Sequence, residues 1–190
     1  MSDYIEHDAS ERSLIWDLPT RVFHWLTVLA FVTAWITHDD DRFLYFHVFS
    51  GYVFFGLLLF RLLWGFIGSY YSRFHTFAHS FKSVFEYLKS LLDGKAMRYI
   101  GHNPAGGYAI FLMIILGLVV SLTGIFVLGG EERHGVLSGA IDFRIGVLSH
   151  ELHESVAWVM LFVAIIHVTG VILESILHKE NLIWTMLSGI

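Results

Sequence analysis

The chain has 190 residues, 55% of them hydrophobic and only 15% charged, with a mean hydropathy of +0.62. That balance excludes an ordinary soluble domain and makes a polytopic membrane protein the first expectation. The absence of cysteine rules out disulfides, thiolate metal sites, iron–sulfur clusters and covalently attached haem, and a net charge of −5 without a basic patch offers nothing to nucleic acid.

The first twenty residues, MSDYIEHDASERSLIWDLPT, are polar and acidic, so no cleaved signal peptide is expected. Pro19 suits a first helical turn, and the apolar run after it ends at His38-Asp39-Asp40-Asp41. A second run goes from Phe43 to Gly68, broken only by His47 and Arg61. Asn103-Pro104 reads as an N-cap and first-turn proline, and no charge follows until Gly130 has passed. A fourth run starts at Ser149, a plausible cap with Glu151 in its first turn. The expected fold is all-α, a single membrane domain over 1–190 built as a transmembrane four-helix bundle, with spans at about 18–37, 44–67, 104–128 and 149–177.

Lys and Arg set the orientation. Arg12, Arg21, Arg73, Lys82, Lys89, Lys95, Arg98 and Lys179 fall on one side, against Arg42, Arg133 and Arg144 on the other. The positive-inside rule then puts both termini and the long middle loop in the cytoplasm. In that loop Phe77, Phe81, Val84, Phe85, Leu88, Leu91 and Leu92 recur at helical spacing opposite Lys82, Ser83, Glu86 and Lys89. This predicts an amphipathic helix on the cytoplasmic membrane surface, in contact with lipid. The outer loop from Gly129 to Ser149 is mixed, suited either to the membrane surface or to a partner.

Twelve histidines are the informative count. His7, His38, His75, His79, His102, His134, His150 and His178 lie in tails or loops and read as solvated. His24, His47, His153 and His167 lie inside apolar runs, where an ionisable group is costly and signals function. His153 and His167 are 167 − 153 = 14 residues apart. On a helix that is ~21 Å and almost four turns, so both leave one face, with Ala157, Met160 and Ala164 between them. By depth the four form two level pairs, His24 with His167 inside and His47 with His153 outside. Zinc asks for three or four converging ligands. Haem brings four nitrogens and asks for two imidazoles, so one noncovalent b-type haem at each level, two in all, fits better.

Glycines fit the same picture. Gly51 is one turn past His47 and Gly170 three residues past His167. Asn103, Gly107, Ile110, Ile114, Gly117, Ser121 and Gly124 form a stripe with several small members on the third span, equally suited to close helix packing. Arg61, 61 − 47 = 14 residues after His47, shares its face at inner depth. It either snorkels to headgroups or pairs with a propionate of the inner haem. Arg21 could serve that haem too, and Arg144 or Arg133 the outer one.

At WDLPTRVFHW (Trp16–Trp25), HVFSGY with RLLWGFIG (within His47–Gly68), GHNPAGG (Gly101–Gly107) and HESVAWVMLFVAIIHV (His153–Val168) the chain resembles the bacterial cytochrome b561 and Ni-hydrogenase b-type cytochrome family. The resemblance implies a dihaem four-helix cytochrome b, with a quinone site beside the inner haem near His167, Asn103 and Gly106. Asn103 also has the role of helix cap open to it. The resemblance implies electron transfer between the quinone pool and a periplasmic redox partner: a hydrogenase, another dehydrogenase or a c-type cytochrome. A stand-alone superoxide:ubiquinone oxidoreductase is the alternative within the family, weakened by acidic outer loops (Asp39–Asp41, Glu131, Glu132). A haem-free transporter relaying protons through buried histidines is a distant third.

Overall fold

The computed structural model describes residues 14–190; His7 and Arg12 lie outside them. Six α-helices follow in order: α1 (Leu18–Ile36), α2 (Leu44–Ile67), α3 (Phe81–Leu92), α4 (Pro104–Gly130), α5 (Phe143–His178) and α6 (Leu182–Ser188). No strand occurs among the described residues. Short 3₁₀ turns at Asp41–Phe43, Tyr70–Ser72 and Phe74–Thr76 make the connections.

Caps set the boundaries. Asp17 accepts the Thr20 N–H at 2.8 Å, and Pro19 sits in the first turn of α1. Asn103 accepts the Gly106 N–H at 2.7 Å ahead of Pro104. The fourth span departs from expectation, since its cap is Asp142, which accepts the Arg144 N–H at 2.8 Å, and not Ser149. The helix therefore starts almost two turns early. Its first turns close onto the end of α4, where a Cβ on Gly130 would stand 2.9 Å from the Gly146 Cα. At 36 residues α5 is ~54 Å long, well beyond a ~30 Å hydrocarbon layer.

Three helical segments are long and apolar enough to cross a membrane: Asp41–Ile67, Pro104–Gly130 and Phe143–His178. The 19 residues of α1 reach ~28 Å, but Arg21 and His24 dilute its apolar character. It pairs with α2 all the same.

The helices form two hairpins, α1 with α2 and α4 with α5, joined where α2 packs on α4. Ala30, Phe54, Leu58, Ile114 and Met160, from all four long helices, form the buried centre. Gly117 lets α2 come close, since a Cβ there would meet Leu58 Cδ1 at 2.8 Å. By contrast α5 lies along α4 and makes few close backbone approaches to α1 or α2.

The chain ends meet. Gly189 O accepts N–H bonds from Ile15 at 2.8 Å and Trp16 at 3.1 Å, and Arg21 donates to Leu187 O at 2.6 Å. Both described ends thus lie at one end of the bundle, with α6, which the hydropathy pattern does not announce, folded against α1. On α3, Phe81 and Leu92 are 80% and 88% exposed, as a lipid-facing stripe requires. One expectation there needs correction. Phe77 precedes the helix and is only 1% exposed, packed between Phe74 and Phe111. The inward face of α3 is carried by Tyr87, 6% exposed, whose hydroxyl donates to Glu174 on α5 at 2.8 Å.

Candidate cofactor sites between the helices

The space between α5 and the α1–α2 hairpin is where the intramembrane histidines face one another. At the outer level His47 and His153 have ring centres 6.0 Å apart and planes inclined by 77°. Two imidazoles on one metal at about 2 Å each put their ring centres roughly 6 Å apart.

Each ring is held by its far nitrogen. His47 Nδ1 lies 2.9 Å from Ala34 O on α1, and His153 Nδ1 lies 2.9 Å from Val120 O on α4. A carbonyl only accepts, so both Nδ1 atoms carry the proton, and both Nε2 lone pairs are left for a metal. Thr123 Oγ1, 3.2 Å from His153 Nδ1, adds a second contact. Gly124 makes room for the ring: a Cβ there would stand 2.9 Å from His153 Cε1. The small-residue stripe on α4 therefore has two uses, packing at Gly117 and ring clearance at Gly124. At Gly51 and Gly170 an added Cβ would meet no protein atom within 4 Å.

At the inner level His24 on α1 and His167 on α5 lie within electrostatic reach of each other. The buried Nδ1 of His24 has no hydrogen-bond partner. Arg61 is 4% exposed, which rules out the snorkelling alternative. Its guanidinium stacks 4.8 Å from the Phe74 ring centre, and one terminal nitrogen is buried without a partner. Asp17 is within reach of that charge but is otherwise engaged, its oxygens taking the Thr20 N–H and the Trp64 indole N–H at 3.0 Å. Arg21, with one bond to Leu187 O, also keeps a buried, unpartnered Nε.

Among the described residues no three His, Asp or Glu converge on one point. Pairs are what the chain provides. Paired imidazoles at two levels and an underpaired buried cation suit a flat metal cofactor bearing carboxylates.

A family profile described as prokaryotic cytochrome b561 matches residues 15–189. The chain belongs to the prokaryotic cytochrome b561 family. As a family member it is a b-type cytochrome of membrane electron transport, and the family implies haem b. Curated relatives include the probable Ni/Fe-hydrogenase B-type cytochrome subunits of Azotobacter vinelandii and Cupriavidus necator. These are 27% and 26% identical, over 92% of this chain and 86% and 85% of theirs. The Ni/Fe-hydrogenase 1 counterpart of Escherichia coli K12 is 23% identical over 92% of this chain and 88% of its own. No solved structure matches.

In this cytochrome the Asn103 amide is already committed, its oxygen to Gly106 and its nitrogen to the Glu174 carboxylate. Gly106 lies beside it, with a Cβ position 3.3 Å from Asn103 Oδ1. Arg144 lines an open surface groove with Phe143, Val147, Leu148 and Glu151, and Arg133 occupies a positive-φ turn at 55°.

Two of the loop histidines are not solvated as expected. His178 has a buried, unpartnered Nε2, and His102 is wedged between Trp16 and Phe77, ring centres 4.7 and 4.5 Å away. Sequence reasoning also missed Ala34 and Val120, which act through backbone oxygens that no residue type reveals. It missed Glu174 too, the one acidic residue inside the last long helix from Ser155 onward, and that charge was the available signal.

Proposed function

We propose that this cytochrome is a four-span, dihaem b subunit carrying electrons across a bacterial inner membrane. They pass between the quinone pool, served at the His24–His167 level, and a redox protein at the His47–His153 level. The observation that supports this most is the two histidine pairs spaced along α5, each facing the α1–α2 hairpin across a gap. Haem iron, when bound, supplies the one-electron couple. The chain fixes the His47 and His153 rings through Ala34 O and Val120 O, carries Arg61 and Arg21 at the inner level, and leaves Gly51 without side-chain bulk. With two imidazoles from the chain each iron would be saturated, which favours electron transfer over chemistry on a bound small molecule.

Quinone would bind near His167, Gly106 and the free amide hydrogen of Asn103. Both termini would be cytoplasmic, in keeping with an even number of spans and the meeting of α6 with α1. A hydrogenase is the favoured partner because the relatives are named as hydrogenase subunits. The superoxide reading gains nothing at the outer surface, where Arg42 is held by Asp40 at 2.6 Å among acidic neighbours.

The test is a haem count and a reduction assay on the purified chain. Two noncovalent b haems, both reducible by quinol, are expected. A chain without haem, or with haems inert to quinol and quinone alike, contradicts the proposal.

A further inference from the structure

His102 stands in the loop before α4, brought round by Gly101 at φ +85°. A side chain at Gly101 would press on Tyr71 at 3.3 Å, so that turn is built for glycine. The His102 ring is clamped edge-on by Trp16 and tilted against Phe77. Its Nδ1 is buried and finds no partner among the described residues.

Arg61 borders the same Phe77 ring, its guanidinium carbon 5.9 Å from the centre. His102 also lies within electrostatic reach of Arg61, His167 and His24. Two orphaned polar groups on different segments, α2 and the α3–α4 loop, therefore border one ring, Phe77, within electrostatic reach of the inner histidine pair. An unpaired buried donor is costly, more so when charged. Two against one aromatic ring point to a missing acceptor, and the cation specifies an anion. Burial pushes the His102 pKa down to about 3, the nearby Arg61 charge adding to the effect. The ring is thus neutral, with one N–H to give.

We propose that His102 and Arg61 together form a carboxylate-binding niche that holds a propionate of the inner haem, the imidazole donating through Nδ1–H beside the guanidinium. This rests on the dihaem reading and adds to it a residue outside the histidine pairs. His102 here is a cofactor-anchoring group and not an iron ligand. Its aromatic clamp fixes the donor direction before the carboxylate arrives, so little ordering is lost on binding.

The test compares His102→Asn, whose amide N–H falls near the position of Nδ1, with His102→Leu, which fills the space without a donor. Both are made in the full-length chain, and the outer haem serves as internal control. Haem content and separate midpoint potentials are read by redox titration of the α-bands. The Asn variant should keep two haems and the wild-type inner potential. The Leu variant should lower the inner potential or lose that haem, because uncompensated carboxylate charge near the iron favours the ferric state. If the two variants behave alike, whether both intact or both impaired, the donor is irrelevant and the proposal falls. Fewer than two haems in the unmodified chain would instead overturn the dihaem reading beneath it.

Discussion

His47 on α2 and His153 on α5 face each other, and each is oriented by the partner helix of its own hairpin: His47 is held by Ala34 O of α1, and His153 by Val120 O of α4. All four long helices therefore build this level, two by imidazole and two by carbonyl. Replacing either histidine with alanine should leave about one b haem per chain, as measured by pyridine haemochrome. An unchanged count for either variant would contradict the pairing.

Gly124 and Gly117 offer a sharper contrast, because both are close approaches with different neighbours. Gly124→Ala drives a Cβ against His153, so it should perturb or abolish the outer haem and alter its low-spin resonance signal. Gly117→Ala drives a Cβ against Leu58 and Phe54, an overpacking cost of ~1–3 kcal/mol shared by the whole bundle. The expected signature is selective haem loss in the first and a lower melting temperature with haem retained in the second.

Asp17 makes acid stability testable. Burial raises its pKa, but hydrogen bonds from Ser69, Thr20 and Trp64 outweigh that and hold the carboxyl below its ordinary value. A depressed folded-state pKa contributes stability above the unfolded value, and that stability is lost as pH falls through the folded one. Melting temperature should therefore drop on acidification below about pH 4, the unfolded carboxyl range. Asp17→Asn should be less stable at pH 7 and show a shallower acid decline. Parallel curves for variant and parent would rule Asp17 out.

Tyr87, Glu174 and Asn103 tie α3, α5 and α4 into one junction. Burial and the Glu174 bond both raise the Tyr87 pKa, so the phenol stays protonated and donates at any working pH. A hydrogen bond to a charged acceptor is worth ~1.5–3 kcal/mol. Tyr87→Phe should speed amide hydrogen exchange along α3 by tenfold or more while leaving both haems in place. Exchange at the parental rate would mean that apolar packing alone docks the helix.

Asn103 carries the quinone proposal. Asn103→Asp preserves the cap but brings a second carboxylate to Glu174, whereas Asn103→Ala costs ~1 kcal/mol of helix stability. Both should slow haem reduction by quinol at least tenfold and leave dithionite reduction untouched. If quinol reduction persists at parental rates in the alanine variant, quinone binds elsewhere.

The sequence by itself determined the five longer helices, which histidines lie inside apolar runs, and that α5 carries two of them on one face. Those features are periodic or compositional, and a local window reads them. Even the depth matching of His47 with His153 needs only that successive spans run in opposite directions. The tertiary structure decided what touches what across the bundle. The bonds from Tyr87 and Asn103 to Glu174 and from Arg21 to Leu187 join residues 87, 71 and 166 positions apart. Backbone acceptors such as Ala34 O and Val120 O are the same chemical group in every residue type. The early start of α5 depended on a cap, Asp142, within a loop whose mixed pattern hid it. His102 shows the limit best. Its neighbours along the chain are polar and small, as in any loop, and only the arrival of Trp16 and Phe77 from elsewhere half-buries the ring and closes off its Nδ1.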